Sequence, residues 1–377
     1  LAILLAPLGL RLSRAKAPPS TTVLWLLRWL LFRLMFASGF VKLASGDAAW
    51  RNLSALRHHY ETQPLPPWTA WYFHHLPPSF QTLSCVVMFS IELGAPFLIF
   101  APRRLRLFAF GALVFLQVVI AATGNYAFFN LLAIALCVLL LDDEAFPARW
   151  RRRRGALSGA GRRWPRIVVA AAAAAILLVS GAHTIAMLFR PRSFPRPVVA
   201  LAQAIAPFQI VNTYGLFAVM TTSRPEISVE GSDDGANWRP YPFRWKPGDP
   251  SRRPRFVAPH QPRLDWQMWF AALGSAEQNP WFLRFAARLL EGSPPVLRLL
   301  ADNPFPDHPP RYLRAVLYDY RFTTPAERRA TGDWWARREL GLYLPVISRE
   351  MLRRSALRGG SRSATGPQLG KRASPRA

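Results

Sequence analysis

Long apolar runs dominate the first half of the chain and predict membrane-spanning helices. A helix rises about 1.5 Å per residue, so roughly 20 residues cross the 30 Å hydrocarbon layer of a bilayer. The chain opens on an apolar stretch, LAILLAPLGL, which we interpret as the end of an earlier span, and five further runs follow, at 23–45, 81–101, 105–122, 126–141 and 167–189. The pattern therefore predicts a transmembrane helical domain over residues 1–190, with about six spans of which the first is truncated.

Two of these runs, 105–122 and 126–141, are short and are separated by Thr123-Gly124-Asn125. Because Gly-Asn is a turn signal, we expect a tight helical hairpin here, with a single long helix as the alternative.

From about residue 200 the pattern changes to that of a mixed domain. Residues 226–245 alternate between apolar and polar around an Asp-Gly pair at 234–235, as a β-hairpin does. Helical spacing follows over 263–273 and 281–290, and strand alternation returns over 311–322.

These elements predict an α+β domain over residues 191–357. The remaining residues, 358–377, are polar, basic and low in complexity, and we expect them to be disordered. The predicted fold class is a polytopic α-helical membrane protein with a C-terminal extracytoplasmic α+β domain.

Charge gives the predicted sidedness. The chain is 51% hydrophobic yet carries a net charge of +27, which fits apolar spans joined by basic loops. Fourteen Lys and Arg residues lie in the three loops that alternate to one side, whereas the loops between spans on the other side hold only Arg51 and Arg57. The positive-inside rule places the basic loops in the cytoplasm, so the loop 47–80 and everything after residue 190 lie outside.

The excess of arginine does not by itself indicate a nucleic-acid partner. The sequence has no helix-turn-helix, zinc-finger or RNA-recognition signature, so we expect membrane lipid and no nucleic acid.

The outer loop contains an unusual stretch, RHHYETQPLPPWTAWYFHHLPPSF at 57–80. Prolines at 64, 66 and 67 prevent a helix at those positions, and the aromatic content is typical of an ordered cap at a membrane–water interface. Its candidate functional residues are His58, His59, Tyr60, Glu61, Gln63, His74 and His75.

These histidines could serve two purposes. Adjacent histidines point apart in an extended chain, and no HExxH spacing occurs, so hydrogen-bonded interfacial histidines are favoured over a metal site. We therefore predict no metal and no cofactor.

Three ionisable residues, Arg33, Lys42 and Glu92, lie within or near the ends of the apolar runs. Such groups are costly in hydrocarbon and usually face a partner. We expect a structural Arg33–Glu92 ion pair, and a lipid or substrate site remains the alternative.

A second polar cluster lies in the C-terminal domain. It is either a surface for partner recognition, for which Arg and Trp are typical anchors, or an ion-pair network that stabilises a loop. Its members are Arg252, Arg253, His260, Arg263, Asp265, Trp266 and Trp269.

No catalytic residue can be nominated from a motif. The chain lacks GxSxG, GxGxxG, Walker and CxxC patterns, and its two cysteines, Cys85 and Cys137, lie within apolar runs.

Several long motifs resemble the lipase maturation factor family. HHYETQPLP is preceded by RLMFASGFVKLASGDAAWRNLSAL and followed by FSIELGAPF, and further matches are GNYAFFN, IVNTYGLFAVMT, KPGDPSRRPRFVAPHQPRLDWQMWF and NPFPDHPPRYLRAVLYDYRF. The resemblance covers roughly residues 30 to 350. The membrane part is also distantly similar to the vitamin K-dependent carboxylase group.

The resemblance implies a multi-pass membrane protein that assists the folding and assembly of secreted lipases or other exported proteins. It would lie in the endoplasmic reticulum membrane of a eukaryote or the inner membrane of a bacterium, with the maturation domain lumenal or periplasmic. The alternative is a membrane-embedded enzyme acting on a lipid or a secreted protein, with Lys42, Glu61, the histidines and Glu92 as its polar centre.

Overall fold

The computed structural model describes residues 1–5, 20–147, 164–191, 193–213 and 217–351. The chain forms two compact units. Counting only the described residues, the first lies within 1–63, 69–222 and 256–261, and the second lies within 64–68, 223–255 and 262–351. The first unit continues to Thr222, beyond the last membrane-spanning helix. The domain boundary that the sequence predicts near residue 190 stays a prediction.

The first unit is helical. Its helices are α1 Ala2–Leu5, α2 Thr21–Ala44, α3 Ala48–Arg51, α4 Leu56–Thr62, α5 Trp68–His74 (its first residue in the second unit), α6 Pro78–Leu98, α7 Arg103–Thr123, α8 Phe129–Val138, α9 Arg166–Phe189 and α10 Arg196–Ile205. Within the described residues, four helices, α2, α6, α7 and α9, are long and apolar enough to cross a membrane. These four coincide with four of the predicted runs, and the polytopic helical fold is confirmed.

The helical hairpin is also present, although its second helix is shorter than the run 126–141. The helix α8 has only 10 residues, about 15 Å, and is too short to cross a bilayer alone. It returns alongside α7, because Asn130 Nδ2 donates to Gln117 Oε1 at 3.0 Å and Arg106 Nε donates to the carbonyl of Leu140 at 3.0 Å.

Helix α2 lies antiparallel to α6 and parallel to α9. The start of α2 lies beside the end of α6, where Trp25 stacks on Phe100 with ring centroids 5.3 Å apart. The end of α2 lies beside the end of α9, since Arg190 donates to the carbonyl of Ala44 at 3.0 Å. The antiparallel pair α2 and α6 has the arrangement expected of consecutive membrane spans. The basic residues of 6–19 and 148–163, on which part of the predicted sidedness rests, lie outside the described residues.

The second unit is built on a four-stranded antiparallel sheet in the order β2-β1-β3-β4. The strands are β1 Arg224–Ser232, β2 Arg239–Pro240, β3 Tyr312–Phe322 and β4 Trp335–Ser348, and the helices are α11 Arg263–Ala272, α12 Pro280–Leu290, α13 Pro294–Leu297 and α14 Pro325–Thr331.

The core of this unit combines residues of β1, β3 and β4 with residues of α11 and α12, including Val229, Leu313, Met268, Phe282 and Leu289, which are all fully buried. The predicted hairpin, both predicted helices and the predicted strand over 311–322 are confirmed. The predicted disordered tail, 358–377, lies outside the described residues.

Candidate functional site

The histidine- and proline-rich stretch at 57–80 is largely helical. Helix α4 ends at Thr62 and helix α5 begins at Trp68, so the helical conformation is interrupted where the prolines stand. The two short helices were not predicted.

Gln63, at the end of α4, is the centre of a buried hydrogen-bond network and is 1% exposed. Its amide donates to the carbonyls of Thr123 at 2.7 Å and Tyr60 at 3.1 Å, while its Oε1 accepts the hydroxyl of Tyr126 at 3.0 Å. This contact requires glycine at position 124, because a Cβ there would lie 2.4 Å from Gln63 Oε1 and would clash with it. The network therefore fixes the end of α4 to the turn of the α7–α8 hairpin.

His59 extends this network. Its Nε2 lies 3.0 Å from the hydroxyl of Tyr126, whose proton is directed to Gln63, so Nε2–H of His59 is the donor. This tautomer leaves Nδ1 as an acceptor, which is buried and has no hydrogen-bond partner among the described residues. Burial, with a smaller contribution from the charge of Lys42, lowers the pKa of His59 to about 4, so the imidazole is neutral near pH 7.

The other histidines of the stretch make separate contacts. His74 Nε2 lies 3.7 Å from Glu61 Oε2, and His75 Nδ1 lies 2.7 Å from the carbonyl of Trp71. Burial, with contributions from His75 and His58, lowers the pKa of His74 to about 4. In the described part of the chain, no three His, Cys, Asp or Glu side chains are grouped so that they could hold a metal ion.

The predicted Arg33–Glu92 ion pair is wrong. Glu92 is paired with Lys42, whose Nζ lies 2.6 Å and 2.7 Å from the two carboxylate oxygens, and it also accepts the hydroxyl of Ser38 at 2.6 Å. Lys42 and Glu92 are 6% and 3% exposed. Arg33 instead donates to the backbone carbonyl of Asn212 at 2.9 Å.

Helix geometry explains why Glu92 pairs with Lys42 and not with Arg33. Arg33 and Lys42 are nine positions apart, which at about 100° per residue places them on opposite faces of α2. Ser38 and Lys42 share one face, and Gly39 beside them lets α6 approach closely. A Cβ on Gly39 would lie 2.9 Å from Glu92 Cβ. The close approach brings the carboxylate to the ammonium group.

The second-unit cluster separates into buried and accessible residues. Asp265 is 2% exposed and accepts the backbone N–H groups of Trp245 and Lys246, both at 2.9 Å, and Trp269 is 7% exposed. These two residues therefore stabilise the loop and helix, and Asp265 does so through backbone N–H groups. Arg263 is exposed, Trp266 is half-buried, and His260 belongs to the first unit.

Arg252 and Arg253 line a recess in the second unit. The guanidinium of Arg253 lies over the rings of Trp68 and Trp334, at 4.6 Å and 5.8 Å from their centroids, and Arg252 donates to the carbonyl of Phe243 at 2.6 Å. The recess combines cationic and aromatic side chains, with Arg252, Arg253, Arg255, Trp245 and Trp335 among its lining residues.

A buried triad beside this recess was missed by sequence analysis. Glu226 accepts Arg224 at 2.8 Å and Lys246 at 2.7 Å, and all three side chains are at most 4% exposed. Arg224 also donates to the carbonyl of Pro64 at 3.0 Å. The only local signal is the Arg-x-Glu spacing in β1, which places both side chains on one face of the strand.

Sequence comparisons identify relatives of both units. The profile of the lipase maturation factor transmembrane domain matches residues 1–148, and that of the lipase maturation factor C-terminal domain matches residues 210–345. No solved structure matches the chain.

Individual relatives match along most of the chain. It is 38% identical to lipase maturation factor 2 of Gallus gallus over 92% of its length and 37% identical to that of Homo sapiens over 92%. It is 36% identical to lipase maturation factor 1 of Bos taurus over 89% of its length. The chain spans 63%, 64% and 63% of the lengths of these three relatives. With both family domains present in order, the chain is a multi-pass membrane protein that belongs to the lipase maturation factor family.

Proposed function

We propose that this protein is a membrane-embedded folding factor that assists the maturation of secreted lipases or other exported proteins. The observation that carries the proposal is the match of both family domains in one chain, at 1–148 and 210–345, to relatives that are named for lipase maturation.

The geometry of the first unit supports a scaffold rather than a reaction centre. Lys42 and Glu92 neutralise each other, and the amide of Gln63 is fully engaged by backbone carbonyls and Tyr126. An enzyme that used Lys42 or Glu92 would first have to break a buried ion pair, which is costly without a substitute partner. This favours the folding factor over the alternative of a membrane-embedded enzyme.

The second unit has features suited to client binding. Its recess combines arginine and tryptophan side chains, the residue types that dominate protein interfaces. Large apolar side chains are also exposed on this unit, among them Phe270 at 52%, Leu299 at 51% and Leu342 at 55%. In the proposed function these groups would contact partly folded chains, which still expose their own apolar residues.

The client-binding unit would face the lumen of the endoplasmic reticulum in a eukaryote, or the periplasm in a bacterium. This placement is supported by the loop charges, since the basic loops are retained in the cytoplasm. Secreted proteins fold in the same compartment, so the proposed orientation brings client and second unit together.

Photo-crosslinking in cells tests the proposal. A photoreactive amino acid at Arg255, in the recess, should capture a co-expressed secreted lipase during its folding. The matched control is Arg288, an exposed arginine of the same unit that pairs with Glu291 and is not among the recess residues. Crosslinking from the recess position alone supports client binding there, whereas equal or absent crosslinking at both positions contradicts it.

A further inference from the structure

The first unit contains a recess between α2 and α9 that is separate from the Lys42–Glu92 pair. Its polar lining includes Arg33, His183 and Thr184, and its apolar lining includes Phe32, Phe36 and Met187. A mixed lining of this kind is typical of sites for amphiphilic ligands.

Arg33 supplies the positive charge of the recess. It is the thirteenth of the 24 residues of α2, so it lies about 17 Å along the helix from either end. Within the described residues, no acidic side chain pairs with it, and its hydrogen bond goes to the backbone carbonyl of Asn212. A guanidinium has five N–H donors, so most of its hydrogen-bonding capacity remains for a ligand. An uncompensated cation at this depth is costly and usually marks a binding site.

His183 adds a second unsatisfied polar group. Its Nδ1 is buried and has no hydrogen-bond partner among the described residues. In the Nδ1–H tautomer this atom can donate to an anionic oxygen. The recess therefore offers a fork of guanidinium N–H groups to a carboxylate or phosphate, and the imidazole of His183 in its wall has a ring nitrogen without a partner among the described residues.

The remaining walls suit an acyl chain. Phe32 and Phe36 stack on each other with centroids 5.5 Å apart, and Met187 is opposite them on α9. Phe97 of α6, whose ring lies edge-on to that of Phe36 with centroids 5.4 Å apart, is 56% exposed, as expected of a lipid-facing residue. A ligand could thus place its head group in the recess while its chain remains in contact with the bilayer.

We propose that this recess binds the anionic head group of an acyl-chain amphiphile. The carboxylate of a fatty acid or the phosphate of a phospholipid would accept hydrogen bonds from Arg33 and His183, and the acyl chain would lie against Phe36 and Met187. This site is independent of the proposed folding activity, because none of its residues belongs to the second unit.

Equilibrium binding of radiolabelled oleate to the purified full chain in detergent tests the proposal. Arg33→Gln should weaken oleate binding by about tenfold or more, because a charge-assisted hydrogen-bond pair is lost. The matched control is Arg28→Gln in the same helix, since Arg28 donates to the carbonyl of Leu139 and is not among the recess residues. Its binding should equal that of the wild type. If Arg33→Gln does not fold, Arg33→Lys, which keeps the charge but loses the fork, should bind several-fold more weakly.

Competition identifies the source of the anion. Displacement of oleate by dioleoylphosphatidic acid at equal concentration indicates a phospholipid head group, and failure to displace it indicates a free fatty acid; both support the site. Oleyl alcohol, which has the same chain and no charge, should not compete. The proposal is overturned if oleyl alcohol competes as well as oleate, if the folded Arg33 variant binds like the wild type, or if neither anion binds the wild type.

Discussion

The ion pair between Lys42 and Glu92 gives the sharpest prediction about the stability of the membrane unit. Replacing Glu92 by Gln keeps the size of the side chain but removes the negative charge that two short contacts, of 2.6 Å and 2.7 Å, hold against Lys42. The ammonium group would then be buried without a counter-charge.

The structure sets the expected magnitude. Both side chains are at most 7% exposed, so solvent cannot compensate for the lost partner. Removing one member of a buried pair costs about 3–5 kcal/mol in the free energy of unfolding. The double change Glu92→Gln with Lys42→Met removes both charges and should recover most of that loss, because well-packed neutral replacements of buried pairs are often nearly neutral.

Unfolding in mixed detergent micelles of increasing sodium dodecyl sulfate content measures these differences. The matched control is Asp142→Asn, an equivalent acid-to-amide change at a carboxylate that is 29% exposed and pairs with Arg103 and Arg106. This change should cost much less than Glu92→Gln, because solvent compensates a carboxylate at the surface for a lost partner. A Glu92→Gln protein as stable as the control, or a double variant no more stable than the single one, would refute a structural role for the pair.

Three further predictions concern close packing, pH and the loop of the second unit. Gly39→Ala should destabilise the first unit by about 1–3 kcal/mol through its contact with α6, whereas Gly94→Ala, with nothing within 4 Å of its added Cβ, should be tolerated; unfolding midpoints compare the two. The pKa values of His59 and His74 are lowered to about 4 from the ordinary 6.5, so the unfolded chain takes up these protons first as pH falls. Their contribution should leave the free energy of unfolding constant above about pH 6.5 and lower it progressively toward pH 4, and a His59→Gln/His74→Gln protein should lose less stability over this range in the same titration. Asp265→Ala should cost about 1–3 kcal/mol by leaving two backbone N–H groups unsatisfied, and Asp265→Asn, which keeps an acceptor, should retain more stability in the same assay.

The sequence predicts the helices and strands of this fold better than it predicts which side chains contact one another. Runs of apolar residues locate α2, α6, α7 and α9 because nearly every position of a membrane span is apolar, and the Asp-Gly turn locates the β1–β2 hairpin. Strand β4 was not predicted, since its central residues are charged or apolar without regular alternation and its pairing with β3 contains register shifts.

The partners of the buried charges depend on information that a single helix does not contain. Depth along the membrane favoured Arg33 as the partner of Glu92, but the rotation of α2 and the close approach at Gly39 select Lys42. The Gln63 network likewise joins residues about 60 positions apart, and no local pattern relates them. The sequence motifs identified these residues, but assigning their roles requires knowing how the helices pack against one another.

The proposed function is tested most directly by the specific activity of a secreted lipase, measured as catalytic activity per amount of lipase protein. The lipase is expressed in cells that lack their own maturation factor, with or without this chain. The folding-factor proposal predicts that the chain raises the specific activity, that Glu92→Gln lowers this gain together with the amount of folded chain, and that Glu92→Gln with Lys42→Met restores both. Unchanged specific activity in the presence of a folded, membrane-inserted wild-type chain, across a panel of secreted lipases, would contradict it.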